Sequence, residues 1–141
     1  MATLVTPTNL QKMEFDVTTA EGASRVTIVT GKIQAMPNLL RVYSTGPLEE
    51  QRQSYKVLLD PTLAPGKFRK ATAMVSVAAW STTTNALPTS TSCGIEDAQA
   101  TFDDEANQVQ LIIDVWGQAQ GNNAISQLFY ANFQVTTLAV I

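Results

Sequence analysis

The chain has 141 residues, of which 45% are hydrophobic and 15% are charged, and its net charge is −3. This length fits one domain that buries roughly 70% of the surface of the unfolded chain, and Thr, Ser, Asn and Gln must supply much of the polar surface. The sequence has no histidine, which excludes Ser-His and Cys-His nucleophile pairs and the commonest zinc and copper ligand.

The single cysteine and the N-terminal segment limit the classes of protein further. Cys93 has no second cysteine to pair with in the chain, which excludes a disulfide-stapled secreted scaffold, and we expect an inert, partly buried thiol. The segment MATLVTPTNLQ lacks the basic and apolar regions of a secretory signal, and no apolar run reaches the roughly 18 residues of a spanning helix. We expect no membrane insertion and a location in the cytoplasm or in an assembled particle such as a virion.

Charge is divided unevenly along the chain. All nine Lys and Arg residues lie between Lys12 and Lys70 beside six acids, so the first 70 residues carry +3. The other 71 residues have six acids and no base, and they carry −6. This division could orient subunits against one another, but interleaved strands from the two halves would mix the charges in space, and we favour the second interpretation.

Period-two alternation predicts strands along most of the chain. In the first strand, Met13, Phe15 and Val17 face one way and Glu14 and Asp16 the other, as in a half-buried strand. Seven more strands are predicted from β-branched and aromatic runs: 24–34, 38–44, 54–60, 71–80, 94–102, 108–117 and 125–140. Gly, Pro, Asn and Asp clusters between these runs are typical of turns.

Two segments have a different composition. The segment 46–53, GPLEEQRQ, has a helical pattern, with Pro47 suited to a first helical position. The segment 81–93 contains eight Ser or Thr residues and is interpreted as a long surface loop. Short strands without helices to cover a parallel sheet predict sheets packed face to face. We therefore expect an all-β fold, an antiparallel, jelly-roll-like β-sandwich of about eight strands, as a single domain over 1–141.

Three carboxylates in a row, at 103–105, raise the question of a metal site. Asp103, Glu105 and Asn107 alternate like calcium ligands, but Gln108 stands where an EF-hand needs Gly, and the flanking segments have strand patterns. A turn explains the residues more simply, because Asn107 tolerates the left-handed conformation that restarts a strand. We favour the turn and expect no metal, with a calcium site at these three residues as the alternative.

Catalysis and nucleic-acid binding have little support in the sequence. Paired carboxylates need a set separation across a cleft, and Asp114, mid-strand near Trp116, has no identifiable partner. The basic run KFRK at 67–70 is interpreted as the solvated start of a strand, since the net charge is −3. We expect no enzyme, no cofactor and no nucleic-acid partner.

The C-terminal ribbon is predicted to be a hairpin of strands 108–117 and 125–140, joined through AQGNNA. One face is an apolar core face: Val109, Leu111, Ile113, Val115, Phe129, Ala131, Phe133 and Val135. The second face of the ribbon combines polar with large apolar residues: Gln110, Ile112, Asp114, Trp116, Leu128, Tyr130, Asn132 and Gln134. Because burying each larger apolar side chain is worth about 1.5–3 kcal/mol, we expect something to cover this face.

Three kinds of cover lead to different functions. The N-terminal segment MATLVTP could lie across the second face, or a second copy of the chain could pack there. A sugar could also bind, with Trp116 and Tyr130 as flat apolar platforms and Asp114, Asn132 and Gln134 as hydrogen-bonding groups. The leading hypothesis is a non-enzymatic structural or scaffold subunit that self-assembles into a homo-oligomer. The alternative is a carbohydrate-binding, lectin-like module that takes a glycan, and a carboxylate-dependent enzyme ranks third.

Overall fold

The computed structural model describes residues 2–20, 22–60, 62–83 and 89–141. Its seven strands are β1 (Thr3–Leu4), β2 (Thr8–Thr19), β3 (Gly22–Gln34), β4 (Leu40–Leu59), β5 (Phe68–Thr83), β6 (Ser90–Asp103) and β7 (Gln108–Val140). They form one mixed sheet curled into a half-barrel. Over the described ranges, no helix is long and apolar enough to cross a membrane.

Strand β7 runs through the whole sheet and pairs with four other strands. Along one of its edges lie β4 and then β3, and along the other edge lie β6 and then β5, all antiparallel to it. The sheet continues outward from β3 to β2 by an antiparallel pairing and from β4 to β1 by a short parallel one. Every other strand therefore takes its position, directly or through one neighbour, from β7.

The all-β prediction is confirmed, whereas two sheets packed as a jelly-roll sandwich are not confirmed. The predicted strands 38–44 and 54–60 are parts of one strand, β4, which also contains the segment 46–53, so the helix predicted there is wrong. The predicted C-terminal hairpin is also wrong, because 108–117 and 125–140 belong to one strand of 33 residues. In the predicted Ser/Thr loop, 81–83 and 90–93 are strand, and 84–88 lie outside the described residues.

Strands β4 and β7 bend together at a pair of glycines. Gly46 lies opposite Gly121, and the register of the pairing shifts between Ser44 and Glu49. The φ angles of Gly46 and Gly121 are +152° and +112°, values that residues with a Cβ atom rarely adopt. Glycines at this corner therefore let a continuous ladder turn where the sequence pattern predicts separate strands.

The bend folds the two ends of the β4–β7 ribbon onto each other and closes the core. A Cβ atom on Gly117 would lie 2.9 Å from Leu40 and 3.1 Å from Val42, which are on the far side of the corner. The Ser126 hydroxyl donates a hydrogen bond of 3.0 Å to the carbonyl of Ser92 on β6. The apolar interior follows the buried face of β7 and includes Leu111, Ile113, Val115 and Leu128. The predicted core residues of 109–115 are confirmed, as are Ala131, Phe133 and Val135, and Phe129 is only partly buried.

The two halves of the sequence interleave in space, as the second interpretation of the charge division predicts. Strands β3 and β4, from the basic half of the sequence, flank β7, from the acidic half, along one edge. Ion pairs then join the halves, from Arg52 to Glu96 at 3.1 Å and from Lys56 to Asp103 at 3.2 Å. The unequal charge of the two halves is thus mixed within one sheet.

Candidate assembly surface

The structure divides the predicted second face of the ribbon between the two ends of β7. Ile112, Asp114 and Trp116 lie between β4 and β6, and all three are partly buried. The Ser54 hydroxyl donates a 2.5 Å hydrogen bond to Asp114, and Trp116 lies opposite Arg52 and Gly94. A Cβ atom on Gly94 would be 3.5 Å from the indole nitrogen, so the indole lies against that backbone.

Tyr130, Asn132 and Gln134 lie at the other end of β7, between β3 and β5. The Lys32 ammonium group is 3.7 Å from the centre of the Tyr130 ring, a cation–π contact that occupies one side of this ring. Trp116 and Tyr130 therefore have different neighbouring strands, and the corner at Gly121 separates them along the chain. They do not form one aromatic platform.

Leu128 lies on the buried face and not on the second face, where the alternation pattern had put it. It is fully buried and pairs with buried Leu40. The buried positions of β7 are odd-numbered up to Gly121, even-numbered from Ala124 to Leu128 and odd-numbered again from Ala131. Two shifts of one residue, at 122–123 and at 129–130, move Leu128 into the core.

The predicted N-terminal cover does not lie across the second face either. The segment Thr3–Leu4 forms strand β1, which pairs in parallel with Tyr55 and Lys56 at the edge of β4. Val5 follows it, partly buried against the core, and its amide donates a 2.9 Å hydrogen bond to the carbonyl of Lys56. The N-terminal segment thus widens the sheet by one short strand.

The predicted turn at 103–107 is confirmed. Asp103 Oδ1 accepts hydrogen bonds from the amides of Glu105, at 3.0 Å, and Ala106, at 3.3 Å, and Asn107 has a φ of +56°. These hydrogen bonds and Lys56 hold the pKa of Asp103 below its usual value. In the described ranges, no three His, Cys, Asp or Glu side chains cluster in a way that could hold a metal ion.

Cys93 and the basic run 67–70 have clear environments. Cys93 is partly buried, as predicted, and burial raises the pKa of its thiol. Trp80, the other tryptophan of the chain, lies on β5 and is 60% exposed. In the run 67–70, Phe68 stacks on Phe102 at 5.2 Å, while the three basic residues are exposed at the start of β5, as predicted.

An open groove of about 480 Å³ crosses the outer face of the sheet near Asn132 and Gln134. Its polar lining comes from four strands, because Gln134 lies level with Thr30 and Gln11 on one side and with Met74 on the other. Asn9, Lys32 and Ser76 add an amide, an ammonium group and a hydroxyl. Such a lining offers hydrogen bonds to a polar ligand but contains no acid.

A further exposed apolar surface of the sheet lies on and beside β2, where the sequence predicts no site. Met13 is 61% exposed and Phe15 is 45% exposed. Met13 pairs with Ile28, and Phe15 pairs with Val26, which lies level with Leu138. Directly opposed residues of an antiparallel pair share a face. We call this set of side chains the edge patch: Met13, Phe15, Val26, Ile28 and Leu138.

The edge patch faces away from the core. Its members on β3 and β7 alternate with buried residues such as Val29 and Val135. The strand predicted at Met13 is therefore confirmed, but its half-burial is wrong, because β2 lies outside the core and its apolar side chains face outward. The alternation of Met13, Phe15 and Val17 with Glu14 and Asp16 is the same in a half-buried strand and in this edge strand, so it carries no signal that separates the two.

Strand β2 is also a free edge. Over the described part of the chain it pairs only with β3, and 11 of its 12 residues are exposed. Ion pairs hold its charged side chains, from Lys12 to Glu14 at 3.2 Å and from Arg25 to Asp16 at 2.9 Å. The hydrogen bond to Asp16 raises the pKa of Arg25. An exposed strand edge with apolar side chains is a template for pairing with another strand.

No protein-family model, curated protein or solved structure matches the chain.

Proposed function

We propose that this chain is a structural subunit that associates with further copies of itself, and that the edge patch lies in the contact. The observation that carries the proposal is the exposure of Met13 and Phe15 on a long strand that has one edge without a partner strand. Burying two side chains of this size is worth about 1.5–3 kcal/mol for each. Exposed apolar patches rimmed by polar groups are typical of subunit interfaces, and pairing removes the hazard of an open edge.

This proposal moves the contact away from the second face of the ribbon. Trp116 and Tyr130 already lie against Gly94 and Lys32, so they offer less free surface than Met13 and Phe15 do. A jelly-roll-like sandwich would form only if a second copy of the chain supplied the second sheet. A virion or another assembled particle is the setting that we propose for such a subunit.

The mass of the protein in solution tests the proposal. Light scattering after size exclusion should give an oligomer at micromolar concentration, and the double variant Met13→Ser, Phe15→Ser should shift it towards monomer. Met36→Ser is the matched control, because Met36 is 84% exposed but lies between β3 and β4, away from the edge patch. A wild-type protein that stays monomeric at high concentration would overturn the proposal.

A second candidate is glycan binding in the groove beside Asn132 and Gln134. The observation that favours it is the convergence of amide side chains from β2 and β7 on one open groove. Without Trp116 and Tyr130 side by side, recognition would depend on hydrogen bonds and on the side chain of Met74. A glycan array should then give signals that Asn132→Ala and Gln134→Ala remove and that Asp114→Ala, at the other end of β7, leaves intact. A blank array contradicts this candidate.

A further inference from the structure

We propose that copies of the chain associate head to tail, with the free edge of β5 in one copy pairing antiparallel with β2 of the next. This inference rests on the proposed function, self-association, and adds the second half of the contact and its geometry. It makes the interface heterologous, so that each subunit uses two different surfaces. Repetition of such a contact builds a ring or a filament.

The strand directions favour this arrangement. Strands β2, β3, β7 and β5 lie side by side, and each neighbouring pair is antiparallel. Consequently β2 and β5, at the two ends of this four-stranded region, run in opposite directions. A second copy placed beside β5 without being turned over brings its β2 antiparallel to β5. The sheet then continues from one copy to the next with its outer face on the same side.

Both edges have the length and composition that pairing needs. Strand β2 has 12 residues and β5 has 16, and neither contains a proline. In the part of the chain that the structure describes, β2 pairs only with β3, and β5 pairs only with β7. Each strand therefore has one row of backbone donors and acceptors without a partner strand.

The charges of the two edges are complementary at the same level of the sheet. Asp16 lies level with Arg25, Ala139 and Phe68 across the four strands. Glu14 lies level with Thr27, Thr137 and Ala71 across the same four strands. The acids of β2 therefore lie at the level of the basic start of β5: Lys67, Arg69 and Lys70. Lys70 pairs with Leu138 and is on the outer face, whereas Glu14 and Asp16 are on the other face beside their ion-pair partners Lys12 and Arg25. The opposite charges thus attract across the junction of the two edges and do not form ion pairs on one face. Neither Lys67 nor Lys70 has an ion-pair partner among the residues described.

The exposed apolar side chains match at the same level as well. Met13 lies level with Thr72, and Gln11 lies level with Met74, which is 71% exposed. Met13, Thr72 and Met74 belong to the outer face, which keeps its side when the sheet continues. A junction without stagger brings Met13 of one copy beside Thr72 and Met74 of the next. The edge patch then extends across the junction into β5.

A symmetric pairing of β2 with β2 of a second copy explains less of the surface. Centred on Met13, it would set Lys12 opposite Glu14 twice, which is also a charge match. However, it would leave the whole edge of β5 open, including Met74 and the unpaired Lys67 and Lys70. The head-to-tail contact covers both edges, and for this reason we choose it.

Charge reversal separates the two arrangements. The acidic edge is reversed by Glu14→Lys with Asp16→Lys, and the basic edge by Arg69→Glu with Lys70→Glu. Each variant alone should be monomeric, and an equimolar mixture should recover the wild-type mass, since each reversed edge then meets its complement. The matched control, Glu49→Lys with Glu50→Lys, reverses two exposed acids of β4 and should keep the wild-type mass. A β5 variant that assembles like the wild type overturns the head-to-tail contact.

Disulfide trapping tests the contact without changing charge. In a Cys93→Ser background, Met13→Cys combined with Thr72→Cys should give a ladder of covalent multimers when diamide oxidises the thiols. Met13→Cys combined with Lys70→Cys or with Met74→Cys, in place of Thr72→Cys, would detect a junction in which β2 is shifted along β5 by two residues. Met13→Cys alone should stay a single band, and dimers from it would indicate the symmetric pairing and overturn the proposal. No ladder from any of the three pairs also overturns it.

The results distinguish this inference from the proposed function. A monomeric wild type contradicts both of them. An oligomeric wild type that responds to Met13→Ser, Phe15→Ser but not to the reversed β5 edge contradicts only the head-to-tail arrangement. Circular dichroism melts of each variant show whether a monomeric variant is still folded. A variant that has lost its melting transition is replaced by the corresponding cysteine pair.

Discussion

The two ends of β7 follow the same alternating pattern but have different surroundings. At the first end, 109–119, β4 and β6 flank the strand, and every second side chain is buried. At the second end, 130–140, the flanking strands are β3 and β5, and β2 adds an outer edge with exposed Met13 and Phe15. Ion pairs lie at the rim of both ends, and the second end adds the exposed Met13 and Phe15 of its edge strand.

This difference shows that an apolar alternating pattern does not determine which face of a strand is covered. Ile113 and Met13 both belong to such patterns, yet one is fully buried and the other is 61% exposed. Ile113 lies on a strand with neighbours on both edges, and Met13 lies on a strand with one neighbour. Packing inside the subunit explains the burial of Ile113, whereas the exposure of Met13 is what the proposed contact with a second copy would explain.

Truncation of Ile113 should destabilise the subunit far more than truncation of Met13. Ile113→Ala removes packing between Tyr55 and Ala98 in a closed core, which costs about 2–5 kcal/mol of unfolding free energy. Met13→Ala should change the unfolding free energy of the monomer by at most about 0.5 kcal/mol. Urea melts at a protein concentration below association measure both values. Equal losses for the two variants would contradict the contrast between the two ends.

The glycine corner should be the next most sensitive feature. Gly121→Ala puts a Cβ atom at a φ of +112°, and residues in such conformations cost about 1–3 kcal/mol. Gly94→Ala is the control, since its new Cβ atom would make only ordinary contacts, at 3.5 Å or more, with Trp116. Thermal melts followed by circular dichroism should show a clear loss for Gly121→Ala and little change for Gly94→Ala. If the two variants have the same melting temperature, the corner does not depend on a glycine at position 121.

The same corner explains which parts of the fold can be predicted from the sequence. Alternation within a strand is local, so β3, β5 and β6 and the turn after Asp103 were predicted close to their places. A Gly-Asn cluster such as 120–123 has the same composition in a hairpin and in a bend. The choice between them depends on the strand beside it, here Gly46 opposite Gly121, which lies 75 residues away. The joined strands β4 and β7 therefore could not be predicted.

The candidate site shows a similar limit. Alternation placed Tyr130, Asn132 and Gln134 on one outer face correctly, because it depends only on neighbours along the strand. It failed for Leu128, since irregularities of one residue reverse the faces and leave little trace in the sequence. The alternation of Met13 and Phe15 with charged residues predicts a half-buried strand, because the pattern does not show whether the core lies beside that strand. The number of strands on each side is a property of the whole fold.

A smaller, pH-dependent effect is expected at the turn that closes β6 onto β7. Because the amides of Ala106 and Glu105 and the Lys56 ammonium group hold the pKa of Asp103 below its usual value, the ionised form stabilises the folded state. This stabilisation is present above the unfolded-state pKa of about 4 and is lost as the pH falls further. In urea melts between pH 3 and 7, the Asp103→Asn variant should therefore lose less unfolding free energy than the wild type as the pH falls below about 4.

Asp104→Asn is the control for this pH effect, since it changes the same charge one residue away in the same turn. It should leave the dependence of the unfolding free energy on pH close to that of the wild type below about pH 4. If Asp103→Asn and Asp104→Asn change this dependence equally, the effect comes from net charge and not from the hydrogen bonds of the turn.

The smallest expected effect is that of the ion pair between Arg52 and Glu96 at the rim of the first end. The pair is exposed, and such pairs contribute about 0.2–1 kcal/mol. A double-mutant cycle with Arg52→Ala and Glu96→Ala measures the coupling free energy, which should fall further in 1 M salt because screening acts strongly on exposed charges. A coupling above about 2 kcal/mol would mean that the rim, and not the buried row of β7, holds the first end together. The two ends would then differ in their surface charges more than in their cores.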